Sequence, residues 1–170
     1  MKKKLLLLLP VAALFTLQAS EDNLIRNPEF KEQKKNWYIT GTPSFKDGIA
    51  TVPLTNVRKN DPETVTASIA QTIPAIAPGK YEFTAYYKGE FRNLYVVMRG
   101  YTKDKKSVNI IAKWLGKKDF IKAGDKPGWN KFYFVGTVPA NVVRVSLHIE
   151  PWGAKGASIQ VTGIELAEAE

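Results

Sequence analysis

There is no cysteine among the 170 residues of this chain. That excludes a disulfide scaffold, thiolate metal centres, a cysteine nucleophile and a lipid-modified N-terminal cysteine. Histidine is almost as scarce. His148 is the only one, so a multi-histidine metal centre is excluded too. After the first twenty residues no window of twelve places apolar residues at a 3.6-residue period, and no segment is apolar enough to span a bilayer. There is no nucleophile elbow, glycine-rich phosphate loop or zinc signature. Internal repeats and low-complexity tracts are also missing. What remains is ordinary for a globular chain: 44% hydrophobic and 24% charged residues, which is not the composition of a disordered one. The length suits one domain, large enough to fold around a core without disulfide support.

Residues 1–20 have a different character. Lys2, Lys3 and Lys4 precede an apolar run of eleven residues, Leu5 to Phe15, and Ala19 and Ser20 offer small residues for cleavage. The run is shorter than the roughly 20 residues needed to cross a bilayer. This pattern predicts a secretory signal peptide over 1–20 and a single domain over 21–170, destined for secretion, the periplasm or the cell surface. The alternative is an uncleaved N-terminal anchor. Removing those three lysines leaves 22 basic against 16 acidic residues, so the formal charge falls from +9 to +6. The remaining lysines are scattered. They make either a solvated basic surface or one attracted to acidic glycans. Nucleic acid is not an expected partner for an exported chain with no recognition motif.

Period-two alternation runs through the rest. It predicts strands at 49–54, 65–73, 81–88, 94–102, 108–115, 132–138, 142–150 and 158–166. Turn chemistry separates them, as at Lys46-Asp47-Gly48, Ala77-Pro78-Gly79 and Lys126-Pro127-Gly128. Short half-apolar strands at this spacing imply two sheets covering each other, an all-β sandwich. The alternation also assigns faces. Tyr81, Phe83, Ala85 and Tyr87 point inward, as do Leu94, Val96 and Met98, and Val143, Val145, Leu147 and Ile149. Tyr95, Val97, Arg99 and Tyr101 point outward, and so do Arg144, Ser146, His148 and Glu150. Gly163 interrupts the last strand and predicts a bulge.

Several runs resemble carbohydrate-binding modules with a galactose-binding-like jelly roll. The run from Asn23 to Phe30, followed by Asn36-Trp37, looks like the opening of such modules. Ser68–Gln71, Ile76–Lys88 and Trp129–Pro139 are similar to their middle and later strands, and Ile159–Leu166 takes the place of their last one. The resemblance implies an all-β jelly-roll sandwich and a glycan-binding function. It places Trp37 and Trp129 in structural positions. It also raises a structural Ca²⁺, because many such modules carry an Asp-Asp pair before the end of the last strand. Here Thr162-Gly163 stands at that point. Glu29 remains at the N-terminal run, and losing an anionic ligand should weaken such a site strongly, so no metal site is assigned and a structural calcium stays open.

Sugar recognition needs flat aromatic faces and planar polar groups. Trp114 and Trp152 are the tryptophans that the resemblance leaves without a structural role, with Trp152 expected on a loop. Tyr86, Tyr95 and Tyr101 occupy outward positions, beside Arg99. These six residues are the candidate ligand site. The alternative for each is a packing role at a sheet edge or under a loop. Gln71 reads as a satisfied polar group in a strand. His148 lacks an evident catalytic partner and reads as a solvated or ligand-contacting residue. Glu82 and Glu150 would make a glycosidase pair only if they faced each other across neighbouring strands. The sequence therefore predicts an exported, non-catalytic glycan-binding protein with no cofactor. Its rival is a stand-alone envelope protein that docks onto another protein, and a small hydrolase is a weaker third.

Overall fold

The computed structural model describes residues 23–169. The segment read as a signal peptide, and its boundary at residue 20, lie outside them. Among the described residues there are thirteen strands: β1 (Tyr38–Ile39), β2 (Ser44–Lys46), β3 (Ile49–Pro53), β4 (Asn56–Arg58), β5 (Asp61–Thr66), β6 (Ile69–Ile73), β7 (Gly79–Gly89), β8 (Asn93–Thr102), β9 (Ser107–Gly116), β10 (Ile121–Lys122), β11 (Asn130–Val138), β12 (Val142–Ala154) and β13 (Ser158–Glu168). The only helical element among them is one 3-10 turn, Lys117–Asp119.

The strands form two antiparallel sheets stacked as a β-sandwich jelly roll. The front sheet runs β9-β8-β12, and β12 then has β6 along its first half and β5 along its last residues. β1 flanks β6, and β4 flanks β5. The back sheet runs β10-β11-β7-β13-β3-β2. The eight expected strands are present. The stretch 65–73 divides into β5 and β6, and the short edge strands β1, β2, β4 and β10 were not legible from alternation.

Inward-pointing residues of both sheets make one core. Tyr81, Phe83, Ala85 and Tyr87 of β7 meet Leu94, Val96 and Met98 of β8 and Val145, Leu147 and Ile149 of β12, all essentially buried. Each such side chain stabilises the fold by about 1.5–3 kcal/mol, which fixes the register. Phe132 packs edge-on against Phe83, with ring centroids 5.1 Å apart.

Three local departures from alternation have physical causes. Val143, expected inside, is exposed, and Val142 is buried in its place, because a bulge between Val142 and Arg144 shifts β12 by one residue. Trp152, expected on a loop, lies within β12. Pro151 has no N–H to donate, and it stands where the neighbour of β12 changes from β6 to β5, so the strand continues past it. The predicted bulge at Gly163 is present: the pairing of β13 with β7 shifts between Thr162 and Glu165. Gly163 has φ +54°, and a Cβ there would stand 3.0 Å from the Tyr86 ring, so glycine suits the site twice over.

Candidate functional site

Cross-strand register on the front sheet lines up outward residues in rows. One row reads Tyr38, Ala70, His148, Val97, Ala112 across β1, β6, β12, β8 and β9. Four inter-strand gaps of about 4.8 Å make it roughly 19 Å long. Its middle members, Ala70, His148 and Val97, are buried or half-buried, so it forms a floor. On one side lies an aromatic row, Glu150, Tyr95 and Trp114, with Trp152 two residues beyond Glu150 on the same face. On the other side come Thr72, Ser146, Arg99 and Asn109, and then Arg144, Tyr101 and Ser107. Five of the six candidate residues, Trp152, Trp114, Tyr101, Arg99 and Tyr95, therefore share one face.

At the aromatic end Tyr95 and Trp114 stack, with centroids 4.4 Å apart and planes at 19°. Trp152 meets Trp114 edge-on at 4.9 Å. The Arg58 guanidinium lies 4.0 Å over the Trp152 ring. Stacking occupies Tyr95 and the arginine covers Trp152, so the ring with free surface is Trp114, 54% exposed. Trp152 Nε1 is buried with no acceptor.

The floor is polar at its centre. The Ser146 hydroxyl is 3.1 Å from His148 Nε2 and 3.4 Å from Tyr101 OH. Beside it is a cavity of about 280 Å³ lined by Asn36, Tyr38, Ala70, Thr72, Ser146 and His148, among others. Burial holds the His148 imidazole below its usual range, and the charge of Arg99 adds to this. Burial pushes the Glu150 carboxyl up, and Arg99 partly offsets that.

Ser146, His148 and Glu150 alternate on one strand in the order of a nucleophile, base and acid. The geometry does not complete a relay. His148 Nδ1 is 3.8 Å from Glu150 Oε1, beyond hydrogen-bond distance. From Val145 to Ile149, β12 is flanked by β6 and β8 on both edges. Its backbone N–H groups are thus committed to the ladders and cannot converge on an oxyanion beside Ser146.

Comparison with known proteins bears on the fold. No family model matches the chain, and no curated protein matches it. Solved structures do. The structure of a family 4 carbohydrate-binding module superposes with a TM-score of 0.61 at 16% identity, over 85% of this chain and 99% of that one. TmCBM61, solved in complex with β-1,4-galactotriose, gives 0.52 at 13% identity over 86% and 99%. The enzymatically active domain of tailspike protein 4 from bacteriophage CBA120 gives 0.57 at 15% identity; the match covers 87% of this chain but only 22% of the tailspike chain. The shared feature is the jelly-roll sandwich, as the resemblance in the sequence implied.

Tyr86, the sixth candidate, is elsewhere. It lies on the outer face of the back sheet, 8% exposed. Its hydroxyl donates to Asp125, and the ammonium groups of Lys126 and Lys131 stand over its ring. Burial and the Asp125 carboxylate push its pKa up to about 12. Trp129 packs beside it under Lys88 and Lys126. Trp37 is buried against Phe30 and donates through Nε1 to the Asn27 carbonyl. Gln71 is satisfied by both backbone groups of Arg26. Glu82 lies on the back sheet, where it accepts from Tyr133, so it cannot face Glu150.

The donor set near the end of β13 does not suit a hard dication. The Glu29 carboxylate is 2.7 Å from Lys31 Nζ. The Thr162 hydroxyl donates to the Gly48 carbonyl at 2.7 Å, using an oxygen that a cation would want. Among the described residues no three His, Asp or Glu side chains gather as metal ligands.

Sequence reasoning missed Tyr38, 67% exposed at the end of the floor. Its strand is two residues long, too short to alternate. Ser146 and Thr72 were within reach, since both sit at outward positions of predicted strands.

Proposed function

We propose that this chain is exported by its leading segment and binds an oligosaccharide, without turnover, on the outer face of the front sheet. The observation that carries the proposal is the half-exposed Trp114, stacked on Tyr95 beside the low floor of the front sheet. A pyranose ring presents its C–H face to such a ring, and the Ser146, His148 and Tyr101 side chains supply hydroxyl partners. The fold neighbours solved as carbohydrate-binding modules support this reading, although fold alone does not fix function. The long His148–Glu150 separation and the missing oxyanion donors favour binding over catalysis. Among the described residues no helix is long and apolar enough to cross a membrane.

Affinity gel electrophoresis against a panel of plant and bacterial polysaccharides tests the reading. The secreted chain should be retarded by at least one polymer, and Trp114→Ala should abolish the retardation while leaving the β-sheet circular dichroism intact. Undiminished retardation of the folded variant would move the site elsewhere. The rival, docking on another protein, draws on Ile121, Tyr133 and Val135, which stand exposed together on the back sheet. A Tyr133→Lys, Val135→Lys double variant separates the two, because it should leave glycan retardation unchanged.

A further inference from the structure

We infer that the oligosaccharide bound on the front face is anionic and that Arg99 and Arg144 clamp its carboxylate. This rests on the glycan reading above and goes on to name the class of glycan.

Arg99 on β8 and Arg144 on β12 are diagonal neighbours in register, since Arg99 pairs with Ser146 and Arg144 with Tyr101. Such diagonal positions are about 7–8 Å apart, close enough for two long side chains to share one ligand group. Both guanidiniums are held in place by neutral partners. Arg99 Nε donates to Asn109 Oδ1 at 3.2 Å, which leaves its terminal nitrogens available. Arg144 lies flat over Tyr101, 4.7 Å from the ring centroid. Among the described residues no carboxylate comes within ion-pair distance of either; the four ion pairs involve Lys31, Lys35, His148 and Lys155. Lys88, Lys126 and Lys131 instead lie against back-sheet rings, and Arg58 lies over Trp152. Two planar, pre-positioned and unpaired guanidiniums are the arrangement that recognises carboxylate with bidentate, charge-assisted hydrogen bonds.

The rows around them hold a single carboxylate, Glu150. It stands at the aromatic end, two rows from Arg99, where burial already disfavours its charge. A neutral glycan would leave both guanidiniums, Arg99 half-buried and Arg144 exposed, without an anionic partner. Spacing adds a length requirement. Tyr95 and Arg99 are four residues apart on β8, about 13 Å along the strand. A ligand that stacks on Trp114 and reaches the arginines is an oligomer, with its acidic residue away from the stacked ring.

The test measures affinity of the secreted chain for polygalacturonate and alginate, their carboxyl-reduced counterparts, neutral galactan and glucan, and dextran sulfate, at about 0.15 M salt so that long-range attraction is largely screened. At least one polyuronate should bind about tenfold or more tightly than its reduced form. Arg99→Gln and Arg144→Gln should each erase most of that ratio, while Lys126→Gln, which removes the same charge from the back sheet, should leave it unchanged. Equal binding of reduced and native polymer would overturn the anionic assignment and keep the glycan reading. Tighter binding of dextran sulfate, equally weakened by Lys126→Gln, would overturn it in favour of general attraction to a basic surface. Failure of every polymer to bind would sink the glycan reading itself.

Discussion

The two outer faces of this sandwich are built from the same kinds of residue and treat them in opposite ways. On the outer face of the back sheet the aromatic hydroxyls and the cations beside the rings have partners within the chain; the buried Tyr87 hydroxyl, which has none, belongs to the inward face. Tyr86 is tied to Asp125 and Tyr133 to Glu82, while Lys88, Lys126 and Lys131 lie over Trp129 and Tyr86. On the front sheet Trp114 keeps half its surface free, Trp152 Nε1 has no acceptor, and Arg99 and Arg144 meet no carboxylate. Two titratable groups there, His148 and Glu150, are pushed by burial toward their neutral forms. Aromatic and basic composition is therefore a poor guide to a binding face. The better guide is whether the groups are satisfied within the chain.

The widest split between the faces should come from paired tryptophan truncations. Trp129, 6% exposed under two lysines, should cost about 3 kcal/mol when changed to Ala, by the usual cost of removing a buried aromatic. Glycan retardation per folded molecule should be unchanged. Trp114→Ala should cost less than about 1 kcal/mol, as expected of a half-exposed position, and abolish retardation. Urea titrations with affinity electrophoresis read both effects. If Trp114→Ala proves the more destabilising of the two, the contrast between the faces is wrong.

Thr162 comes next. Its hydroxyl donates to the Gly48 carbonyl in a buried position on the back face. Thr162→Val leaves that carbonyl short of a donor and should cost about 1–2 kcal/mol. Because the Thr162 hydroxyl is already committed to this hydrogen bond, we expect a chelator to leave the melting temperature unchanged in the parent and in the variant. A chelator-induced fall of several degrees would refute that expectation. Tyr86→Phe ranks third, losing about 1 kcal/mol with its bond to Asp125. That bond is the largest cause holding the Asp125 carboxyl below its ordinary value of 3.8. A depressed carboxyl contributes stability that is present above that value and lost as pH falls through the folded-state pKa. Acid denaturation of the phenylalanine variant should accordingly be less steep below about pH 4.

How much of this was legible in the sequence depends on how long each element keeps its alternation. Tyr81 to Tyr87 and Leu94 to Met98 alternate without a break, and their faces followed directly. So did the outward set Tyr95, Arg99 and Tyr101, which is most of the candidate site. Val143 was misassigned because one extra residue at a bulge puts Val142 and Val143 out of phase with Val145, Leu147 and Ile149, and no residue type announces that bulge. Trp152 was taken for a loop because Pro151 and Gly153 read as turn chemistry. Only the exchange of neighbours from β6 to β5 lets the strand pass a proline. Tyr86 does point outward, as alternation requires. What it cannot reveal is that Trp129, forty-three residues later, returns to cover it with its lysines. Tyr38 belongs to a strand of two residues and exists as a site residue only through its pairing with Ala70.

The smallest expected effect sharpens the comparison most, because it has opposite signs for stability and function. Burial raises the Glu150 carboxyl above its ordinary value of 4.5. A raised carboxyl contributes stability that is fully present below that value and lost as pH rises through the folded-state pKa. His148 is depressed from 6.5, so its contribution is present above that value and lost as pH falls. The two groups squeeze the front face from both sides. Glu150→Gln should raise the melting temperature by a degree or two near pH 7, from a stability gain of a few tenths of a kcal/mol, and should make no difference near pH 4. The same substitution should weaken glycan retardation if the carboxyl contacts a sugar hydroxyl. No outward residue of the back sheet should behave this way, since among the described residues the buried back-sheet groups without a partner, on Tyr87 and Asn130, belong to the inward face. A Glu150→Gln variant that loses stability at pH 7 would mean that the carboxylate is serving the fold, and the front face would then be as satisfied as the back.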